Sequence, residues 1–168
     1  MKLALQILLL VVVALPLALL AAGQAGLLRG QMPADLGMRD GRLKAPSRTE
    51  NSVSSQAALH SGAGAEYARI DPFRYAGDGA AALTRIGAIV LKMPGARILQ
   101  SGPDYLYVQF ETRWLKFVDD AEFVVVPAES AIHLRSASRL GRRDFGVNRA
   151  RIESVRSAFN ANSNTPSR

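Results

Sequence analysis

The sequence predicts an α+β domain: a four-stranded antiparallel meander sheet with two helices packed on one face, preceded by an N-terminal membrane helix. Three observations carry that expectation. An apolar run at the N-terminus is long enough to cross a bilayer, residues 105–112 alternate strictly between apolar and polar, and two stripes at helical spacing flank the strand-like segments. Strands grouped together, rather than alternating one by one with helices, point to a two-layer sandwich with the helices on a single side.

Residues 3–22 are apolar apart from Gln6 and Pro16. At about 1.5 Å per residue this run spans the hydrocarbon core of a membrane. Small residues at 21–25 resemble a signal-peptidase site, so a retained anchor is the first expectation and a cleaved signal the alternative. The expected plan is a transmembrane anchor or signal segment over 1–25, a flexible tether over 26–65, the α+β domain over 66–160 and a disordered tail over 161–168. Lys2 marks the short flank, whereas Arg29, Arg39, Arg42 and Lys44 crowd the other, so the positive-inside bias is contradictory. A basic start followed by a hydrophobic segment is how exported chains begin, which favours a body outside the cytoplasm. The chain contains no cysteine, which excludes disulfides, thiolate metal sites and lipid attachment through sulfur.

The tether is rich in Gly, Ala and Ser without helical or strand period, with an ordered patch expected at 51–56. Asp78 is a candidate cap for a first helix carrying Leu83, Ile86, Val90 and Met93, which Met93-Pro94-Gly95 stops. Residues 96–101 read as a short strand and Gly102-Pro103-Asp104 as a turn into the alternating strand over 105–112. Two further strands, 119–126 and 131–138, are joined through 127–130. Asp144 is the candidate cap of the second helix, on which Asn148, Ile152, Val155 and Phe159 form a stripe.

The pleat then sorts the polar residues. If Leu106, Val108, Phe110, Phe123, Val125, Ile132 and Leu134 face the helices, then Tyr105, Tyr107, Gln109, Glu111, Asp120, Glu122, His133, Arg135 and Arg139 emerge on the other face. That face is expected to meet water or a ligand. As a plain solvated surface its ion pairs are worth about 0–1 kcal/mol each. As a groove, Arg135 and Arg139 grip an anionic group between Tyr105 and Tyr107, with Asp120 and Glu122 beside them. Asp119, Asp120 and Glu122 also invite a metal-assisted hydrolase, but only Asp120 and Glu122 share a strand face. With no cysteine, His60 in the tether and His133 alone, no catalytic residue, metal or cofactor is assigned.

The stretch over 135–153, RSASRLGRRDFGVNRARIE, together with Phe117-Val118-Asp119-Asp120-Ala121-Glu122-Phe123, resembles the domain-of-unknown-function 1499 (DUF1499) family. The resemblance covers about 38–159 and implies a bacterial protein without an assigned activity. In a bacterial chain the N-terminal segment then places the anchor in the inner membrane with the body in the periplasm, or secretes the body there after cleavage. The family's PCPxxPNCVSSQ segment corresponds to residues 45–56, where Pro46 and Ser52 stand at the two cysteine positions and Glu50 replaces a proline. A staple implied by those cysteines is therefore missing. Within the motif, Asp144, Asn148 and Arg149 read as structural residues: Asn148 ties a loop to the sheet, Arg149 is spaced to pair with Glu153, and Gly141 and Gly146 supply unusual backbone angles.

Charge suggests a second class of partner. The net charge is +7, and seven arginines lie between 135 and 156. Nucleic acid is an unexpected partner for an exported body without a recognised motif. Anionic lipid, met by a loop carrying Arg139, Arg142 and Arg143, or another envelope protein fits better. The oligomeric state is not legible.

Overall fold

The computed structural model describes residues 2–163; residues 164–168, most of the expected tail, lie outside the described residues. Helix α1, Lys2–Gln24, is apolar all round and contains Pro16. Its stretch Gln6–Gln24 has a mean hydropathy of 2.5, which by length and composition suffices to cross a membrane. The body that follows contains β1 (Ser52–Ser54), a one-turn helix α2 (Ala65–Ala68), β2 (Phe73–Arg74), α3 (Gly79–Val90), β3 (Ala96–Ser101), β4 (Tyr105–Glu111), β5 (Val118–Val126), β6 (Ala131–Ser138) and α4 (Val147–Ser163).

The sheet is antiparallel throughout and runs in the order β1-β6-β5-β4-β3, with β2 also paired to β6. It has six strands, so the expectation of four is corrected. The meander β3 to β6 is as expected; β1 and β2 are three and two residues long, too short to show a period of two in the sequence. Both run antiparallel to β6, Val53 opposite Ser136 and Phe73 opposite Ile132.

Helices α3 and α4 cover one face. Leu83, Ile86 and Val90 of α3 and Ile152, Val155 and Phe159 of α4 meet Leu106, Val108, Phe110, Phe123, Val125, Ile132 and Leu134 in one core. Each such side chain contributes about 1.5–3 kcal/mol on burial. Asp78 caps α3, its carboxylate accepting from Ala80 N at 2.9 Å. Gly95, with φ +73°, lets the chain turn against β4, where a β-carbon would stand 2.1 Å from the Glu111 carbonyl oxygen.

The second face differs from its sequence reading. Residues 29–45, expected to form part of a loose tether, run across it as a strap. Arg29 pairs with Glu111 at the end of β4, and Gly37 N donates to Glu122 Oε1 in β5 at 2.5 Å. Leu43 N donates to Gln56 Oε1 at 2.7 Å, Gln56 Nε2 donates back to Gly41 O, and Leu43 itself is buried. The face expected to be open is therefore enclosed. Such a strap escapes a periodicity argument because irregular backbone held by scattered hydrogen bonds has no period to detect.

Candidate functional site

The polar residues of β4, β5 and β6 do emerge together on the face away from the helices. Pairing places Glu122 opposite both Tyr107 and Arg135, and Asp120 opposite Gln109 and Ala137. Under the strap they are buried: Glu122 is 0 % exposed, Asp120 2 % and Arg135 5 %. In such surroundings each charge needs a partner.

Asp120 has several. Arg139 grips it with two parallel bonds, Nε to Oδ2 and Nη2 to Oδ1, both at 2.8 Å. Tyr107 donates its hydroxyl to Asp120 Oδ1 at 2.5 Å, while Gln109 Nε2 donates to the Tyr107 oxygen at 3.0 Å. Burial, then the bond to Asp120, pushes the Tyr107 phenol above its ordinary range, and the carboxylate raises the Arg139 guanidinium further. Arg139, read as both a ligand-gripping and a membrane-facing residue, is taken up inside this pair.

Glu122 and Arg135 are satisfied less completely. Glu122 Oε1 accepts from Gly37 N and from the Tyr105 hydroxyl at 2.9 Å, but buried Oε2 has no hydrogen-bond partner among the described residues. Burial raises its carboxyl above the usual range, outweighing the bonds from Gly37 and Tyr105 and the positive charge of Arg135. Burial and the neighbouring carboxylate likewise raise the Tyr105 phenol. Arg135 donates Nε to Ala45 O of the strap at 3.3 Å and makes no ion pair among the described residues. Desolvation lowers its pKa, opposed by Glu122, Asp120 and Asp35, yet a guanidinium stays charged in proteins. The site thus holds one hydrogen-bonded ion pair, one buried carboxyl whose pKa burial raises, and one buried guanidinium with no carboxylate at ion-pair distance among the described residues.

Beside it lies a cleft of about 860 Å3 between strap and sheet. Met32, Leu36 and Met38 of the strap face Tyr105, Tyr107 and Val124. Gly37 and Tyr105, which line it, are the two groups bonded to Glu122.

A metal at Asp120 and Glu122 would compete with a guanidinium already bonded to both oxygens of Asp120. Among the described residues, no group of three His, Asp or Glu is arranged to hold an ion. Asp119 lies on the helix face, where it accepts from Arg151 Nη2 at 2.7 Å.

His133, which the sequence leaves alone, has two neighbours. Its Nδ1 is 2.9 Å from Ser55 Oγ and its Nε2 3.1 Å from Glu129 Oε2. Ser55 Oγ also accepts from Leu134 N at 2.9 Å, so the hydroxyl is a strut joining the end of β1 to β6 rather than a free nucleophile. The sequence could not pair residues 78 positions apart.

The motif over 135–153 builds a second buried network on the helix side. Asn148, 0 % exposed, accepts at Oδ1 from Ser136 Oγ at 2.5 Å and Arg151 Nη1 at 3.0 Å. Its Nδ2 donates to Asp144 Oδ2 at 2.9 Å and Ser138 Oγ at 3.0 Å. Asp144 caps α4 through Gly146 N and Asn148 N, both 3.0 Å, and accepts the Tyr67 hydroxyl. Although burial raises its carboxyl, these hydrogen bonds hold it below the usual range. Gly141 and Gly146 have φ of +91° and +81°. Arg149 donates to the carbonyls of Arg69 and Tyr67 instead of pairing with Glu153, which bonds Arg156. Where the family has its two cysteines, Ser52 Oγ accepts from Ser47 N at 2.8 Å and closes the loop beside Pro46. Arg142 and Arg143 are exposed, Arg143 beside Glu50.

No curated protein and no solved structure matches the chain. A family model described as a protein of unknown function, DUF1499, matches residues 42–159, a span that holds all six strands and both polar networks apart from Gly37 of the strap. The chain therefore belongs to the DUF1499 family.

Proposed function

We propose that the chain is a membrane-anchored binding module of the bacterial envelope, its body in the periplasm, that takes an anionic amphipathic ligand in the cleft between strap and sheet. The observation that carries this reading is that buried Arg135 has no carboxylate at ion-pair distance among the described residues and is held by one backbone carbonyl. A buried guanidinium without a direct partner costs several kcal/mol; Asp120 is committed to Arg139, and Glu122, whose carboxyl burial raises, acts on Arg135 only through space. A carboxylate or phosphate oxygen supplies the missing partner through charge-assisted bonds. The apolar part of the ligand lies against Met32, Leu36, Met38 and Tyr105, in a volume suited to a small molecule. Its head reaches Arg135 when the Gly37–Glu122 hydrogen bond opens.

The metal-assisted hydrolase reading, with Asp120 and Glu122 as ligands, has less support because a cation must first displace Arg139. The binding reading is tested by titrating octanoate, octanol and octylammonium against the full chain in nanodiscs, following thermal unfolding. Octanoate alone stabilises the wild type, and Arg135→Gln weakens that response about tenfold or more, as expected for one charge-assisted bond of about 1.5–3 kcal/mol. Equal responses to the three probes, or an octanoate response unchanged in Arg135→Gln, contradict the assignment.

A further inference from the structure

Helix α1 does not end in open solvent. Gln24 Nε2 donates to the Trp114 carbonyl at 2.7 Å, and a β-carbon on Gly23 would stand 2.7 Å from the Leu115 carbonyl oxygen. The helix end and the β4–β5 hairpin therefore touch through backbone. Arg29 pairs with Glu111, and Gly30 lies against Arg139 and Leu140. These attachments bring one end of the sheet to the last turn of the apolar helix. It is the end where β4 and β6 finish and β5 begins, as the pairings of Glu111 with Val118 and of Asp119 with Ser138 require.

That end is apolar where a soluble surface should not be. Trp114 is 62 % exposed and Phe145 93 %, and Phe117, Leu140 and Val147 are exposed beside them. Phe117, Leu140, Phe145 and Val147 share a groove of about 320 Å3. Phe145 also has a φ of +54°, a conformation that costs a bulky residue on the order of 1–3 kcal/mol and marks functional positions when the surroundings enforce it. Here they do. Asp144 N donates to Glu50 O at 3.0 Å while the Asp144 carboxylate holds Gly146 N and Asn148 N, so the flanking backbone is fixed and the ring projects outward. Almost none of the ring surface is covered by the chain, so packing of the ring itself does not offset the strain.

The cations of the same loops complete the pattern. Arg113 stacks over the Trp114 ring at 4.8 Å, Lys116 follows in the hairpin, and Arg142 and Arg143 precede Phe145. The nearby acids are occupied: Glu111 by Arg29 and Lys116, Glu50 by Arg143, and Asp144 as the cap of α4. Exposed aromatics ringed by surplus guanidinium and ammonium groups, beside the end of a membrane-length helix, match the chemistry of the lipid headgroup layer.

We propose that this end of the sheet is seated in the bilayer interface, with Trp114, Phe117, Leu140 and Phe145 at the headgroup–acyl boundary and Arg113, Lys116, Arg142 and Arg143 among anionic headgroups. The inference rests on α1 being retained as a membrane helix; it is independent of the ligand cleft. It fixes the body against the bilayer instead of leaving it at the end of a loose leash. The cleft then lies within reach of molecules that partition into the membrane.

Trp114 is the only tryptophan in the chain, so its emission reports on one loop. Phe145→Trp in a Trp114→Phe background reports on the other. Both full-length proteins are reconstituted into phosphatidylcholine vesicles with and without phosphatidylglycerol, and emission is quenched with phospholipid brominated high on its acyl chains or with aqueous acrylamide. The docked arrangement predicts that bromolipid quenches both reporters and acrylamide quenches them weakly. It also predicts that Arg142→Ser/Arg143→Ser abolishes any strengthening by phosphatidylglycerol at the second loop. A Phe145→Trp reporter open to acrylamide and untouched by bromolipid, in a chain that still resists alkaline carbonate extraction, overturns the docking while leaving the anchor in place. Release of the chain by carbonate overturns the anchor and the docking with it. Oligomerisation that shields Phe145→Trp equally in detergent and in lipid assigns the surface to a protein partner and also overturns the proposal.

Discussion

Replacing Asp120 by Asn removes one charge from the Arg139 pair without changing shape, and the structure says how large the effect should be. The two side chains are only 6 % and 2 % exposed, so water screens little of the loss. Breaking a buried pair from one side costs about 3–5 kcal/mol, because the surviving charge stays desolvated. The lower end, about 3 kcal/mol, applies because the Tyr107 hydroxyl still accepts from Arg139 Nη2. Arg139→Met alone should cost a similar amount by stranding the Asp120 carboxylate. In Asp120→Asn/Arg139→Met neither charge remains, and the main loss is a buried Asn amide group without its Arg139 partner, about 1–2 kcal/mol. The cycle therefore predicts a coupling of about 4 kcal/mol from two costs of about 3 and a joint cost of about 2. Chemical denaturation of the full chain in a fixed detergent, followed by near-ultraviolet circular dichroism, measures all four corners. Single costs below about 1 kcal/mol that simply add would mean a solvated surface pair, and the enclosed face would be refuted.

Glu122→Gln should become increasingly favourable relative to the wild type as pH rises. Burial raises the folded-state pKa of Glu122, so its contribution is full below the ordinary carboxyl range and is lost as pH climbs through the raised value; a stability difference that does not change with pH contradicts this. Asn148→Ala strands Ser136, Asp144 and Arg151 partners and should cost about 2–3 kcal/mol in equilibrium unfolding, whereas a cost under about 1 kcal/mol would mean that water substitutes freely. Asp144 titrates in the opposite sense. Its depressed carboxyl stabilises the fold above the ordinary range and loses that contribution as pH falls through the lowered value, so Asp144→Asn should lose most at neutral pH and least in acid. A C-terminal alkaline phosphatase fusion should be active in cells and a cytoplasmic-type reporter inactive if the body lies outside; the reverse pattern would move it inside.

What the sequence made legible follows from period. Leu106, Val108 and Phe110 alternate with Tyr105, Tyr107 and Gln109, and that parity, carried across β5 and β6, brought Asp120, Glu122, Arg135 and Arg139 to one side of the sheet. Asp78 and Asp144 announced their helices because a carboxylate at the N-cap satisfies backbone donors that nothing else reaches. The strap was not legible. Its contacts are single bonds such as Gly37 to Glu122 and Leu43 to Gln56, made by residues with no repeating spacing. Without it, polar residues at alternate positions look solvated, although β5 is buried on both faces. Arg149 illustrates a different limit: four-residue spacing makes a pair with Glu153 available, but two carbonyls of the α2 segment offered better partners.

The enclosure of the polar face by residues 29–45 is the claim on which the binding reading depends, and the amide of Gly37 reports on it directly. Residue-resolved hydrogen exchange on the full chain should find Gly37 and Leu43 protected, with Gly37 protection lost in Glu122→Leu and Leu43 protection kept. Exchange of both amides at the rate of an unstructured peptide would contradict the account, leaving the face open and Arg135 in water.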